Sequence, residues 1–278
     1  MKFDNIDRKR YALMVEFLKK NNLNTVCIEA NCPNRYYCFS QGNATFMILG
    51  RICTRNCFYC NVSSGRPRVV DSKEPERIAR ATKELGLNYV VITSVTRDDL
   101  KDFGAGEFVT CVKEIERISP KTKVEVLVPD FCGDLDAIKS IVYSKPFVFN
   151  HNIEVVKRLF STMRQGGNYD VSLKILRYAK RLDEKMFVKS GLMVGLGEKL
   201  SEVFDTISDL KKAGCDFLSV GQYLSPSEKH AKITKFYSAK EFEAIKKFAL
   251  ANGFLHVESG ENVRSSYRAK QYSKELNI

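Results

Sequence analysis

TFMILGRICTRNCFYC, residues 45–60, joins an apolar run to a loop with three cysteines, and the reading of that join decides the fold. The run at 45–50 has the length and apolar density of a buried strand and ends in glycine. Further runs of the same kind follow at 89–93, 124–128, 147–150, 187–195, 217–221 and 254–258. Between them lie amphipathic, charged segments at 75–85, 107–118, 135–143, 153–160, 171–181, 200–213 and 239–252. Ser238 and Glu241 form a capping box that opens the last of these. Continuous apolar strands separated by helices indicate an α/β fold, a parallel sheet covered by helices. Seven strands without a G-x-G-x-x-G turn favour a partial (β/α) barrel over a dinucleotide-binding fold. In such barrels the chemistry sits on loops after the strands' C-terminal ends. The loop 51–60 stands there.

Residues 1–44 do not join the alternation. They form an N-terminal extension with one amphipathic helix at 8–20 and a first cysteine group. Residues 45–260 make the barrel, and 261–278 a short, polar, basic C-terminal tail. One domain with an extension is expected. Hydrophobic residues at 44% and charged residues at 28% are ordinary for a soluble globular protein of 278 residues. No apolar run approaches the roughly 20 residues that span a bilayer. The start MKFDNIDRKR lacks the apolar core of a secretory signal, so a cytoplasmic location and no membrane partner are expected. The net charge of +12 is compatible with nucleic acid, an anionic surface or an acidic protein partner.

Nine cysteines in a reducing compartment argue for metal binding or redox chemistry rather than a disulfide framework. Cys53, Cys57 and Cys60 have C-x3-C-x2-C spacing. Three thiolates on one short loop hold three irons of a [4Fe–4S] cube, and the fourth iron is left open for substrate. Cys27, Cys32 and Cys38 have C-x4-C-x5-C spacing, again one ligand short of a cube. Soft thiolates suit iron–sulfur clusters or zinc, but structural zinc asks for four ligands where each group offers three. Cys111, Cys132 and Cys215 are scattered and read as packing residues.

The second group, with Tyr59 before its last cysteine, resembles the signature of the radical S-adenosylmethionine superfamily. The pair of groups resembles the lipoyl synthase family within it. GRPRVVDSKEPERIA, VITSVTRDDL followed by FGAG, VFNHNIE, GLMVGLGE, GQYLSPS and RSSYRA match that family in order, from about Cys27 to Ala269. The chain departs from the family at Arg35-Tyr36-Tyr37, at Gly50-Arg51, in EKHAKITKFYS at 228–238 and just before RSSY.

The resemblance implies two [4Fe–4S] clusters and S-adenosyl-L-methionine as cofactors. It also implies radical insertion of two sulfur atoms into an octanoyl chain on a carrier lysine, with the auxiliary cluster as sulfur donor. The implied partners are an octanoylated lipoyl carrier domain or glycine-cleavage H protein, an electron donor such as flavodoxin or ferredoxin, and an iron–sulfur carrier that rebuilds the auxiliary cluster. No nucleic acid is expected. Cys53, Cys57 and Cys60 hold the radical cluster; Cys27, Cys32 and Cys38, with Ser266 of Arg264-Ser265-Ser266-Tyr267, hold the auxiliary one. Arg264 orients the tail. Thr93 and Ser94 meet the methionyl part of the cofactor, Asn150 and Asn152 the cofactor or the carrier amide, and Glu154 the ribose of the cofactor. Gly195 and Gly197 permit close backbone approach to it. Arg97, Asp98 and Asp99 fix loops around the site, and His151 is a turn residue. A methylthiotransferase-like enzyme acting on transfer RNA and a zinc-stabilised binding module are the rival readings.

Overall fold

The structure is a computed structural model describing residues 6–267, 269 and 271. Three helices come first: α1 (Arg8–Lys20), α2 (Val26–Glu29) and α3 (Arg35–Ser40). Strand and helix then alternate: β1 (Thr45–Ile48), α4 (Glu74–Glu84), β2 (Tyr89–Ser94), α5 (Ala105–Ile118), β3 (Lys123–Leu127), α6 (Leu135–Tyr143) and β4 (Val148–Asn150). Two helices, α7 (Lys157–Met163) and α8 (Tyr169–Leu182), precede β5 (Phe187–Val194). The order closes with α9 (Leu200–Lys212), β6 (Phe217–Gln222), α10 (Ala239–Ala251) and β7 (His256–Gly260).

All strand pairs are parallel and run in chain order from β1 to β7. Among the described residues β1 and β7 do not pair, so the sheet is not closed. Alternate side chains face opposite sides. Phe46, Ile48, Ile92, Val126, Phe149, Val188 and Val220 join the large core packed under the helices. The other face carries a separate cluster of Val91, Val148, Phe217 and Ala269, with Tyr89, Phe147 and Phe187 against it. Val91 on β2 and Phe217 on β6 meet there although three strands separate them, so the sheet is strongly curved around this inner cluster.

The extension covers an open edge. Thr25 caps α2 and forms an antiparallel bridge with Phe46 of β1, and the Met47 N–H donates to the Asn24 carbonyl at 2.9 Å. An edge strand with unpaired backbone groups is a liability, and this bridge occupies part of it.

Two details depart from the sequence reading. The helix expected at 153–160 runs Lys157–Met163, because the chain first continues as a strand exit. Glu154 has φ +68° and bridges to Leu192, its N–H donating to Gly191 O at 3.0 Å while its carbonyl accepts from Met193 N–H at 2.8 Å. In the extension the first cysteines sit on α2 and α3, which are too short to show helical periodicity.

Candidate active site

The loop at 51–60 leaves β1 through Leu49 and Gly50, both at positive φ (+67° and +86°). Gly50 takes this left-handed turn without steric cost. The buried Glu74 carboxylate at the start of α4 accepts the Leu49 N–H at 2.7 Å and fixes the exit. Cys53, Cys57 and Cys60 follow on a loop fastened by its neighbours. Thr54 N–H donates to Thr96 O (3.0 Å), Phe58 N–H to Met163 O (2.9 Å), and Ala231 N–H to Phe58 O (3.0 Å). The Arg55 guanidinium grips Asp98 twice (2.7 and 2.9 Å) and Asp130 once (2.7 Å). The loops after β1, β2, β3, β4 and β6 therefore meet around these cysteines. The Cys53 sulfur accepts N–H bonds from Arg55 (3.4 Å) and Thr96 (3.3 Å).

In the extension Cys27 lies on α2, Cys38 on α3 and Cys32 in the turn between. The turn is held by Cys32 N–H to Cys27 O (3.1 Å) and Cys38 N–H to Asn34 O (2.9 Å). The Cys27 thiol is raised by charge on Cys32, and the Cys38 thiol by charge on Cys27 and Cys32, so the three lie close together. Burial is the larger cause, pushing Cys27 up to about 11 and Cys38 to about 12. Burial also pushes Cys60 up to about 12, and raises Cys57 despite the opposing charge of Arg164. These thiols are protonated at neutral pH without a metal, and each would have to lose its proton to ligate one.

The tail crosses to the extension. Thr45 at the start of β1 lies near enough to the Cys27 sulfur to lower its pKa against burial, and its hydroxyl donates to Ser266 Oγ at 2.8 Å. Ser265 turns the other way: its Oγ accepts from Asn150 Nδ2 (3.1 Å) and donates to Asn152 Oδ1 (2.9 Å). Asn34 Nδ2 donates to Asn262 O at 2.6 Å. The Arg264 guanidinium donates to Val263 O (2.6 Å) and lies within electrostatic reach of Cys32; burial lowers its pKa. A Cβ on Gly221 would stand 2.1 Å from Val263 O, so β6 needs glycine where the tail passes.

The family model described as "Radical SAM superfamily" matches residues 47–210. A lipoyl synthase of Caldicellulosiruptor saccharolyticus is 49% identical over 261 residues, covering 94% of this chain and 92% of that protein. This chain belongs to the lipoyl synthase family. A lipoyl synthase of Rubrobacter xylanophilus is 48% identical over 269 residues, 97% of this chain and 84% of its own length. The fold is shared with solved structures of much lower identity. Methylornithine synthase superposes with TM-score 0.56 at 14% identity, covering 84% of this chain and 80% of that one. The [FeFe]-hydrogenase maturase HydG gives 0.58 at 14%, covering 100% and 80%. Within the lipoyl synthase family, a [4Fe–4S] cluster and S-adenosylmethionine are the expected cofactors.

The donor chemistry fits. Each thiolate of a cube binds a different iron, so the sulfurs need not converge on one point. Among the described residues no three His, Cys, Asp or Glu side chains converge as ligands of a single ion would. At the C-terminal ends of β2 and β4, Ser94 Oγ and Asn150 Oδ1 are buried with no protein hydrogen-bond partner, so each is open to a bound molecule. Glu154 faces Cys57, Tyr59 and Cys60, accepts from Asn152 Nδ2 (3.1 Å), and has its pKa raised by burial.

Other sequence candidates are engaged with protein. Thr93 Oγ1 donates to Leu127 O at 2.9 Å. The Gly195 and Leu196 N–H groups donate to the Glu198 carboxylate (2.6 and 2.9 Å). A Cβ on Gly195 would meet Gln222 Nε2 at 2.2 Å, whereas one on Gly197 would lie 3.7 Å from Thr234. Arg97 pairs with Asp99 and reaches Leu49 O, while Asp98 serves Arg55. His151 is buried between Val128 O (2.8 Å) and Ser172 Oγ (3.1 Å); burial, then Arg164, lowers its pKa to about 3.

The departures from the family pattern have local uses. Tyr36 stacks on Tyr11, with ring centroids 4.9 Å apart, docking α3 on α1. Arg51 pairs with Glu29 of α2 at 3.5 Å. In the segment 228–238, His230 Nε2 meets Cys60 O at 3.1 Å.

The sequence reading passed over Thr45, Arg55, Glu125 and Lys189. The available signal was charge at inward-facing positions of apolar strands: Glu125 and Lys189 interrupt hydrophobic runs.

Proposed function

We propose that the chain carries two clusters, one on Cys53, Cys57 and Cys60 and one on Cys27, Cys32, Cys38 and Ser266. It would insert two sulfur atoms into an octanoyl chain on the lysine of a lipoyl carrier domain or H protein. When bound, the radical cluster with S-adenosylmethionine supplies the radical that removes hydrogen from the chain, and the auxiliary cluster supplies the sulfur. The observation carrying this reading is the hydrogen bond from Thr45, which lies beside Cys27, to Ser266 Oγ, which brings a tail hydroxyl to a cysteine group one ligand short of a cube.

The residues divide the work. Arg55, with Asp98 and Asp130, holds the radical loop in place while its thiols bind iron. Ser94 and Asn150 present unpaired polar atoms toward the cofactor, and Glu154 a carboxylate. Ser266 offers iron an oxygen, a harder and less suited donor than thiolate. Such a bond releases more readily than a cysteine bond when the auxiliary cluster gives up sulfur. A flavodoxin or ferredoxin as reductant and an iron–sulfur carrier for rebuilding complete the proposal.

The experiment is an anaerobic assay with an octanoylated carrier peptide, following 5′-deoxyadenosine and peptide mass. Ser266→Ala is expected to make 5′-deoxyadenosine but little lipoyl product, and Ser266→Cys to assemble a cluster that resists losing iron. Full lipoyl yield from Ser266→Ala would overturn the ligand assignment. No mass gain with the unaltered chain would overturn the activity.

A further inference from the structure

Inside the curved sheet lies a charged pair that neither cysteine group uses. Lys189 of β5 and Glu125 of β3 are both fully buried (0% side-chain exposure), with Nζ to Oε1 at 2.9 Å. Taking two charges out of water costs several kcal/mol each, and an apolar pair of similar volume is often no less stabilising. Stability alone therefore does not explain a lysine there.

Its other contact does. Lys189 Nζ donates to the Ser265 carbonyl at 2.6 Å. Glu125 Oε1 also accepts from Asn150 Nδ2 at 2.7 Å, and the same Asn150 nitrogen reaches Ser265 Oγ. Tyr89 donates to the second Glu125 oxygen at 2.7 Å. The carbonyl of residue 265 and the nitrogen of residue 266 belong to one planar peptide unit. A grip on that carbonyl sets the plane from which Ser266 departs toward Thr45.

We infer that Lys189, braced by Glu125, is a positioning residue for sulfur transfer: it holds the Ser265 peptide so that Ser266 stands at the auxiliary cysteine group. The inference rests on the reading of Ser266 as a ligand. An ammonium suits the task because a charge-assisted hydrogen bond is about twice as strong as a neutral one. The grip comes from β3 and β5 and not from the extension that carries the cysteines, so the tail keeps its place whether or not a cluster is bound.

The test is Lys189→Met combined with Glu125→Gln, which removes both charges together. In the cluster-free protein, amide hydrogen exchange over 261–267 is expected to quicken at least about tenfold, the loss of one charge-assisted hydrogen bond, with the strands unchanged. In the reconstituted enzyme the auxiliary cluster should lose iron to a chelator as fast as in Ser266→Ala. Lipoyl product should fall about tenfold while 5′-deoxyadenosine stays within about twofold. Glu125→Gln alone, which keeps the amine but weakens its brace, should give an intermediate exchange rate if the double variant folds poorly. Unchanged tail exchange in either variant overturns the grip. Faster exchange with normal iron retention overturns its purpose. Normal iron retention in Ser266→Ala itself would instead place the fault in the ligand reading.

Discussion

Replacing Arg55 by Met tests how the radical loop is held. The Asp130 side chain is 2% exposed and takes one guanidinium hydrogen bond at 2.7 Å. Burial pushes its pKa up, but Arg55, by hydrogen bond and charge, more than offsets this, helped by Arg164 and His151, so the carboxyl titrates below its usual value. Removing Arg55 strands a buried carboxylate, and breaking a buried pair costs about 3–5 kcal/mol. At about 2–4 °C per kcal/mol for a chain near this size, the cluster-free variant should melt about 6–20 °C lower at pH 7. The pH dependence has a definite sign. A depressed folded pKa stabilises the native chain above the unfolded value, near 3.9, and that contribution fades as pH falls through the folded value. In the variant burial dominates and raises the pKa, so Asp130 takes up a proton on mild acidification and the stranded charge disappears. The gap between the two proteins should therefore narrow from pH 7 to pH 4.5 in calorimetric melts. A fall below about 2 °C at pH 7 would refute the argument, since it is less than 1 kcal/mol. A gap that does not narrow with acid would refute it as well.

Cys57→Ala is expected to abolish 5′-deoxyadenosine formation in the reconstituted protein, measured by chromatography. The joint replacement of Cys27, Cys32 and Cys38 by Ala should preserve that product and abolish sulfur transfer. Gly221→Ala places a carbon 2.1 Å from the Val263 carbonyl, so the tail must shift; lipoyl yield should drop severalfold with cofactor cleavage retained, read from the ratio of the two products. With a net charge of +12 and an acidic carrier domain, turnover should weaken as salt rises, because surface attraction is screened over about 8 Å at 0.15 M. Salt-independent steady-state kinetics would count against charge steering.

The barrel was legible because its strands are buried on both faces and stand out as unbroken apolar runs, and because the cysteine loop follows the first of them. The strand exit at 153–156 was misread as helix because Ile153, Val155 and Val156 are apolar at a spacing that suits either, and only the bridge to Leu192 decides. The roles of the two tail serines were not readable from the residues. They share one environment in sequence and part only in space, Ser265 toward Asn150 and Asn152, Ser266 toward Thr45. Lys189 and Glu125 were invisible as a pair because their separation of 64 positions hides that β3 and β5 face one another across the curve.

The contacts that seat the tail join the most distant parts of the chain: Thr45 to Ser266 spans 221 positions and Asn34 to Asn262 spans 228. Closing a chain over such separations carries an entropic penalty that neighbouring β–α–β units avoid, so native pairing spreads through the barrel before the two ends meet. Folding thus has a built-in sequence. The thiols of Cys27, Cys32 and Cys38 lie within 12 residues and are arranged by local bonds, whereas Ser266 reaches Thr45 only once the two ends of the chain meet. Under the proposed ligand set, those three thiols would be in place before the serine, so the order in which the chain closes would also set the order in which that centre gains its ligands.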